Sequence, residues 1–198
     1  MNLLGADFGT TSVKAVLFDE KLTELAESTE DYTVKTSGNI VELEAEKYWE
    51  LLKNAIANTG KEHKIDAIAI DTQCETLILT DEDGNPVRDA IVWLDNRAEE
   101  EAREIEAHFG RKKVYEVTGQ PEITATWPAS KLLWVKKNEP DVWAKTKKIF
   151  LLEDYLLYKL TGNFVTEKTL QSSTIYFDIT GNVWWKEMLD FIGISEDM

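Results

Sequence analysis

The segment Gly5-Ala6-Asp7-Phe8-Gly9-Thr10-Thr11-Ser12-Val13-Lys14-Ala15-Val16-Leu17-Phe18-Asp19 constrains the fold most. Apolar, β-prone residues flank a short polar turn, so it reads as two strands of a hairpin. A plain hairpin turn needs no carboxylate followed by Gly-Thr-Thr. Gly9 lets backbone amides come close to a ligand, and the Thr10 and Thr11 hydroxyls add donors, which together suit phosphate oxygens. Asp7, ending the first strand, would repel phosphates unless a cation intervened, so the same residues suit a Mg²⁺ site reached partly through water. Lys14 could add positive charge, although a lysine in a strand is more often just solvated. A tight turn chosen for Ser/Thr propensity has the same letters. A P-loop is excluded, because GxxxxGK[ST] runs from a strand into a helix and this triplet runs into a second strand.

With 198 residues, 43% of them hydrophobic, the chain can bury a sizeable core as one domain, or one domain and a fragment. Its net charge of -15 argues against nucleic acid or an anionic membrane surface as a partner, since both require basic patches. A phosphate-bearing ligand must then be held by local donors or a metal. The single Cys74 cannot form an internal disulfide, which fits a reducing, cytoplasmic setting. No basic leader precedes the first strand, and no apolar run approaches the roughly 20 residues of a membrane span.

Strand patterns cover Asn2 to Ala6, Val13 to Phe18 and Leu22 to Val34, predicting three antiparallel strands. Leu43 to Thr59 changes to helical period, with Tyr48, Leu51, Leu52, Ala55 and Ile56 on one stripe and Gly60 as a stop. The run Ile65 to Asp71 predicts a buried strand with helices on its faces. Thr76 to Thr80 and Ala90 to Leu94, joined by a turn-rich stretch, predict a hairpin. Helical period returns after Asn96, and again from Pro128 to Lys137, closed by Pro140. Phe150 to Phe164 reads as a strand end, a helix and a Gly162 stop. Trp184 to Ile192 is amphipathic. The run Glu99-Glu100-Glu101 reads as a solvated helix face.

The order strand, Asp-x-Gly-Thr-Thr, strand, strand, helix, strand resembles the first subdomain of the actin, Hsp70 and sugar-kinase superfamily. That resemblance implies an α/β, ribonuclease H-like mixed sheet flanked by helices, with a small inserted β-hairpin and helices. Three later stretches select within it: Ile91 to Ala98 (IVWLDNRA), Trp127 to Pro140 (WPASKLLWVKKNEP) and Glu153 to Gly162 (EDYLLYKLTG). Together they resemble the FGGY family of carbohydrate kinases. Pro128, Lys131, Leu132 and Trp134 match its first signature, while Thr126 departs at the leading position.

The resemblance implies an ATP-dependent kinase acting on a sugar or polyol hydroxyl, with ATP and Mg²⁺ as cofactors. Asp7 matches the metal-holding acid, Gly9, Thr10 and Thr11 the phosphate-facing turn, and Lys14 a basic position after it. In Gln73-Cys74-Glu75-Thr76-Leu77, Glu75 matches a glutamate that grips substrate hydroxyls in glycerol kinase, while Cys74 replaces the accompanying arginine. The Met-His-Gly usual in xylulokinases is absent. Trp93 matches an aromatic lining the polyol pocket, with Asp95 and Arg97 behind it and Thr126 and Trp127 as a further wall. Core packing explains Trp93 equally well. A xylulose-type ketopentose is the favoured substrate, with glycerol or another polyol as alternative.

The family's catalytic base and adenine site lie further along, so residues 1–198 are expected to be an incomplete N-terminal domain, inactive alone. The truncation would expose surface through which a homo-oligomer could form. An Hsp70- or actin-like nucleotide switch, or a non-catalytic sugar-binding remnant, remain the other readings.

Overall fold

The computed structural model describes residues 1–198. Its strands are β1 (Leu3–Phe8), β2 (Ser12–Phe18), β3 (Glu24–Asp31), β4 (Lys35–Ser37), β5 (Ile40–Leu43), β6 (Ala67–Thr72), β7 (Leu77–Thr80), β8 (Ala90–Ile91), β9 (Lys148–Leu151), β10 (Phe177–Asp178) and β11 (Val183–Trp184). The helices are α1 (Ala45–Thr59), α2 (Glu99–Phe109), α3 (Arg111–Thr118), α4 (Pro128–Asn138), α5 (Pro140–Lys145), α6 (Leu152–Thr161), α7 (Lys168–Gln171) and α8 (Lys186–Ile192). These elements form two compact units, residues 1–34 with 44–73 and residues 35–43 with 74–198.

The first unit is a four-stranded sheet in the order β3-β2-β1-β6. Strands β1, β2 and β3 run antiparallel, as their alternating pattern predicts, and β6 lies parallel to β1. Alternation puts Leu4, Ala6, Phe8, Val13, Ala15 and Leu17 on one face, where each is at most 3% exposed. Helix α1 covers that face with Tyr48, Leu51, Leu52 and Ala55. Burying each large side chain there contributes about 1.5–3 kcal/mol.

One expectation fails in this unit. The run ending at Asp71 forms β6, but Ala67, Ile68 and Ala69 are exposed. The strand pairs on one side only, with β1, and α1 packs chiefly over β2 and β3. Apolar content predicted burial, yet position at a sheet edge decides it.

The second unit holds a five-stranded antiparallel sheet, β4-β5-β8-β7-β9. The predicted β7–β8 hairpin meets at only one register pair, Leu77 with Ile91, because β7 makes its long pairing with β9. Its turn is tightened by Asp81 Oδ1, which accepts from the Asp83 and Asn85 amides. Gly84 sits there at φ 77°, where an added Cβ would lie 2.2 Å from the Tyr158 ring. Only glycine suits that position, on both counts. Leu77, Leu79, Ile91, Ile105, Leu132 and Met188 belong to one hydrophobic core that joins the sheet to the helices. Helix α2 carries the acidic run as expected, except that Glu101 is buried and meets Lys137 at 3.2 Å.

Candidate functional site

Strand register assembles a row of charged residues in the first unit. Asp7 lies opposite Lys14 on β2 and opposite Asp71 on β6. Directly paired residues project to the same side of a sheet, so Lys14, Asp7 and Asp71 form a row across the face that α1 leaves open. Lys14 Nζ also meets Glu27 at 2.8 Å, and the hydrogen bond and charge of that carboxylate push the ammonium pKa up. Asp71 was not among the residues singled out from the sequence. Its signal was nonetheless there: Leu3 to Ala6 and Ala67 to Ile70 are both apolar quartets followed by Asp.

The turn between β1 and β2 is clamped from behind. The Tyr32 amide donates to Thr11 O at 2.8 Å, and the Tyr32 hydroxyl donates to Gly9 O. Gln73 Nε2 in turn donates to the hydroxyl oxygens of Tyr32 and Tyr48 at 3.2 and 3.3 Å, while its amide donates to Phe8 O. Burial pushes the Tyr32 hydroxyl up to about 12 and that of Tyr48 further, so both stay protonated at neutral pH. Gln73 Oε1 is buried without a hydrogen-bond partner. A Cβ at Gly9 would meet only Ser12 O, at 3.5 Å, so the chain's own packing does not demand glycine there. The absent side chain leaves the Gly9 backbone open to close approach from outside.

Two carboxylates side by side are hard oxygen donors of the kind Mg²⁺ uses, since that ion takes one or two from protein and completes its octahedron with water and phosphate. No group of three or more His, Cys, Asp or Glu side chains stands ready to hold a metal. The paired carboxylates of Asp7 and Asp71 fit the donor set of that ion.

The second unit resumes at Cys74, which is exposed. Glu75 follows at φ 58°, a left-handed conformation costing a non-glycine residue roughly 1–2 kcal/mol. Burial raises its carboxyl pKa, partly offset by the Ser173 hydroxyl and the charge of Lys131. The Trp93 amide donates to Thr76 Oγ1 at 3.2 Å, which ties the Glu75 turn to the loop after β8. Lys131 Nζ reaches the same place from α4, donating to Val92 O at 3.0 Å and to Glu75 O and Trp93 O at 3.4 Å each.

Asp95 and Arg97 lie deeper. Asp95 is fully buried; it accepts from the Val41 amide at 2.6 Å and from Arg97 through both carboxylate oxygens. Arg97 also donates to Glu42 Oε1 at 2.7 Å and lies 4.9 Å over the Trp134 ring. This network binds β5 to the loop that carries Trp93. Trp127 donates its indole N–H to Glu122 O and packs on the core, with half-buried Thr126 beside it in sequence. Tyr32 and Lys131 are structural partners of the site to which sequence reading gave no role, because neither a tyrosine in a strand pattern nor a lysine in a helix advertises its contacts.

Comparison with known proteins follows the same outline. The model for the FGGY family of carbohydrate kinases, N-terminal domain, matches residues 2–198. A xylulose kinase of Lactococcus lactis is 30% identical over 199 residues, covering 98% of this chain and 39% of its own. A glycerol kinase of Thermococcus onnurineus is 32% identical over 205 residues, covering 98% of this chain and 41% of its own. The crystal structure of gluconate kinase from Lactobacillus acidophilus superposes with a TM-score of 0.92 at 26% identity, over 99% of this chain and 40% of that one. The expected mixed α/β fold is borne out. The chain spans about two-fifths of the length of the curated relatives it matches.

Proposed function

Since the chain belongs to the FGGY family of carbohydrate kinases, we propose that the protein carrying it transfers the γ-phosphoryl group of ATP to a hydroxyl of a sugar or polyol. The observation that carries this reading is the pairing of Asp7 with Asp71 on the open face of the sheet, beside the Gly9-Thr10-Thr11 turn. Phosphoryl transfer asks the protein mainly for positioning and charge neutralisation. Asp7, joined by Asp71, would hold Mg²⁺, which would supply neutralisation of phosphate charge. Backbone amides and hydroxyls of residues 9–11 take phosphate oxygens, and Lys14 adds positive charge at the edge of the row.

Glu75 accepts hydrogen bonds from acceptor hydroxyls, and the Trp93 ring lies against sugar C–H groups. By the family resemblance Gln73, Cys74, Thr126 and Trp127 are further residues for the acceptor, while Asp95 and Arg97 hold the loop of Trp93. In the reaction the acceptor oxygen bonds to the γ-phosphorus, the bond to the β,γ-bridging oxygen breaks, and the acceptor proton passes to a base. No residue described here is assigned that last role.

A xylulose-type ketopentose is our favoured acceptor, with glycerol or another polyol next because of the stretch Gln73-x-Glu75-Thr76. The relatives' names cover xylulose, glycerol and gluconate, so the family alone leaves the choice open. The test is transfer from γ-labelled ATP, with Mg²⁺, to each of these three acceptors by the full-length protein. Labelled sugar phosphate from one or more is expected; none from any, with ADP also absent, overturns the reading.

A further inference from the structure

Lys131 is the one lysine whose side chain is fully buried, at 0% exposure. An ammonium has three donors and no acceptor, and is costly to remove from water unless each donor is used. Here the three acceptors are backbone carbonyls, those of Glu75, Val92 and Trp93. Burial pulls its pKa down to about 7, against the charges of Asp95 and Glu75, which raise it, and together with that of Arg97, which lowers it. A lysine needed only to fill the core could be replaced by a leucine or methionine without loss. One whose three donors bridge two separate loop segments does something an apolar side chain cannot.

Those two segments carry the acidic and the aromatic residue of the proposed acceptor pocket. The Glu75 backbone is held in a left-handed conformation, which persists only where its surroundings enforce it. The Trp93 backbone is fixed on one side by Thr76 Oγ1 and on the other by Lys131. We propose that Lys131 is a positioning residue for the acceptor pocket: its ammonium, bonded to the carbonyls of Glu75, Val92 and Trp93, sets the directions in which the Glu75 carboxylate and the Trp93 ring leave the backbone. It touches neither acceptor nor nucleotide. Its functional half rests on the kinase reading above; its geometrical half does not.

The test is K131M, which keeps the stem and removes the donors, compared with wild type by hydrogen exchange and by kinetics in the full-length protein. Amides of Thr76 and Trp93 are expected to exchange about tenfold faster or more, while those of β1 and β6 do not change. The KM for the phosphorylated acceptor should rise by about tenfold or more, with the KM for MgATP within about twofold of wild type. A folded K131M with unchanged exchange at residues 75–76 and 92–93 overturns the proposal, as does unchanged acceptor KM in an active enzyme. Should wild type phosphorylate nothing, the kinase reading falls and exchange alone decides the geometry. If K131M does not fold, the wild-type Nζ resonance decides, read at about pH 5, below the pKa of about 7, where the ammonium form is populated: three hydrogen bonds hold its protons in slow exchange with water, and rapid exchange overturns the proposal.

Discussion

Asp7 and Asp71 occupy matching positions on adjacent parallel strands, so two carboxylates share one open face of the first unit's sheet. Like charges set directly opposite each other repel, and a bound divalent cation reverses the sign of that interaction. In Asp71→Asn the metal-free protein should therefore melt at a higher temperature than wild type. Wild type should gain stability with added Mg²⁺ and nucleotide, and the variant should lose most of that gain. Thermal melts with and without MgADP measure both; equal gains in the two proteins contradict a role for Asp71 at the metal.

Tyr32 holds the turn between β1 and β2 through Thr11 O and Gly9 O. Tyr32→Phe removes the hydroxyl and leaves Gln73 Nε2 with one phenol partner fewer. A loss of about 1–2 kcal/mol is expected in urea unfolding. The KM for MgATP should rise while that for the acceptor does not. A variant as stable as wild type would mean that this hydroxyl contributes nothing to the turn.

Asp95 is buried, and its carboxylate neutralises Arg97, itself only 4% exposed at the side chain. Asp95→Ala leaves the guanidinium with Glu42 alone and should cost about 3–5 kcal/mol of stability. If Asp95 instead touched the acceptor directly, KM would change without that loss. Urea unfolding beside kinetics separates the two.

Asp154, in the Glu153–Gly162 motif, has its carboxyl pushed up to about 7 by burial. The Leu151 amide, Thr166 and Gln171 donate toward it, the Glu153 and Glu167 charges raise it further, and Tyr176 lies nearby. The folded state thus holds a proton that the unfolded chain releases near pH 4. Stability should fall as pH rises from about 4 to about 7, with a limiting slope of about 1.4 kcal/mol per pH unit, and then level off. Asp154→Asn should remove this component, so that its stability relative to wild type grows across that window. Parallel curves for the two proteins would contradict a buried, neutral Asp154.

How much of this the sequence disclosed depends on the range of the interaction. The hairpin from Leu3 to Phe18, α1 and α4 were legible because their apolar periods and stop signals are local. Helix α3 was missed: it is short and follows α2 across Gly110 at φ 75°, so the two give no separate stripe. The edge position of β6, and with it the pairing of Asp71 with Asp7, is a matter of register between distant strands, which composition does not encode. Glu101 and Lys131 look like solvated charges by residue type. Their burial appears only once partners from other elements are in place.

The most direct measurement is Mg²⁺-dependent transfer from γ-labelled ATP to the best acceptor by wild type, Asp7→Asn and Asp71→Asn at equal folded fractions. If the open-face row holds the metal and phosphates, Asp7→Asn should lose about a hundredfold or more in kcat, and Asp71→Asn should need more Mg²⁺ for half-maximal rate. A folded Asp7→Asn that keeps more than about half the wild-type rate at the same Mg²⁺ concentration would contradict it.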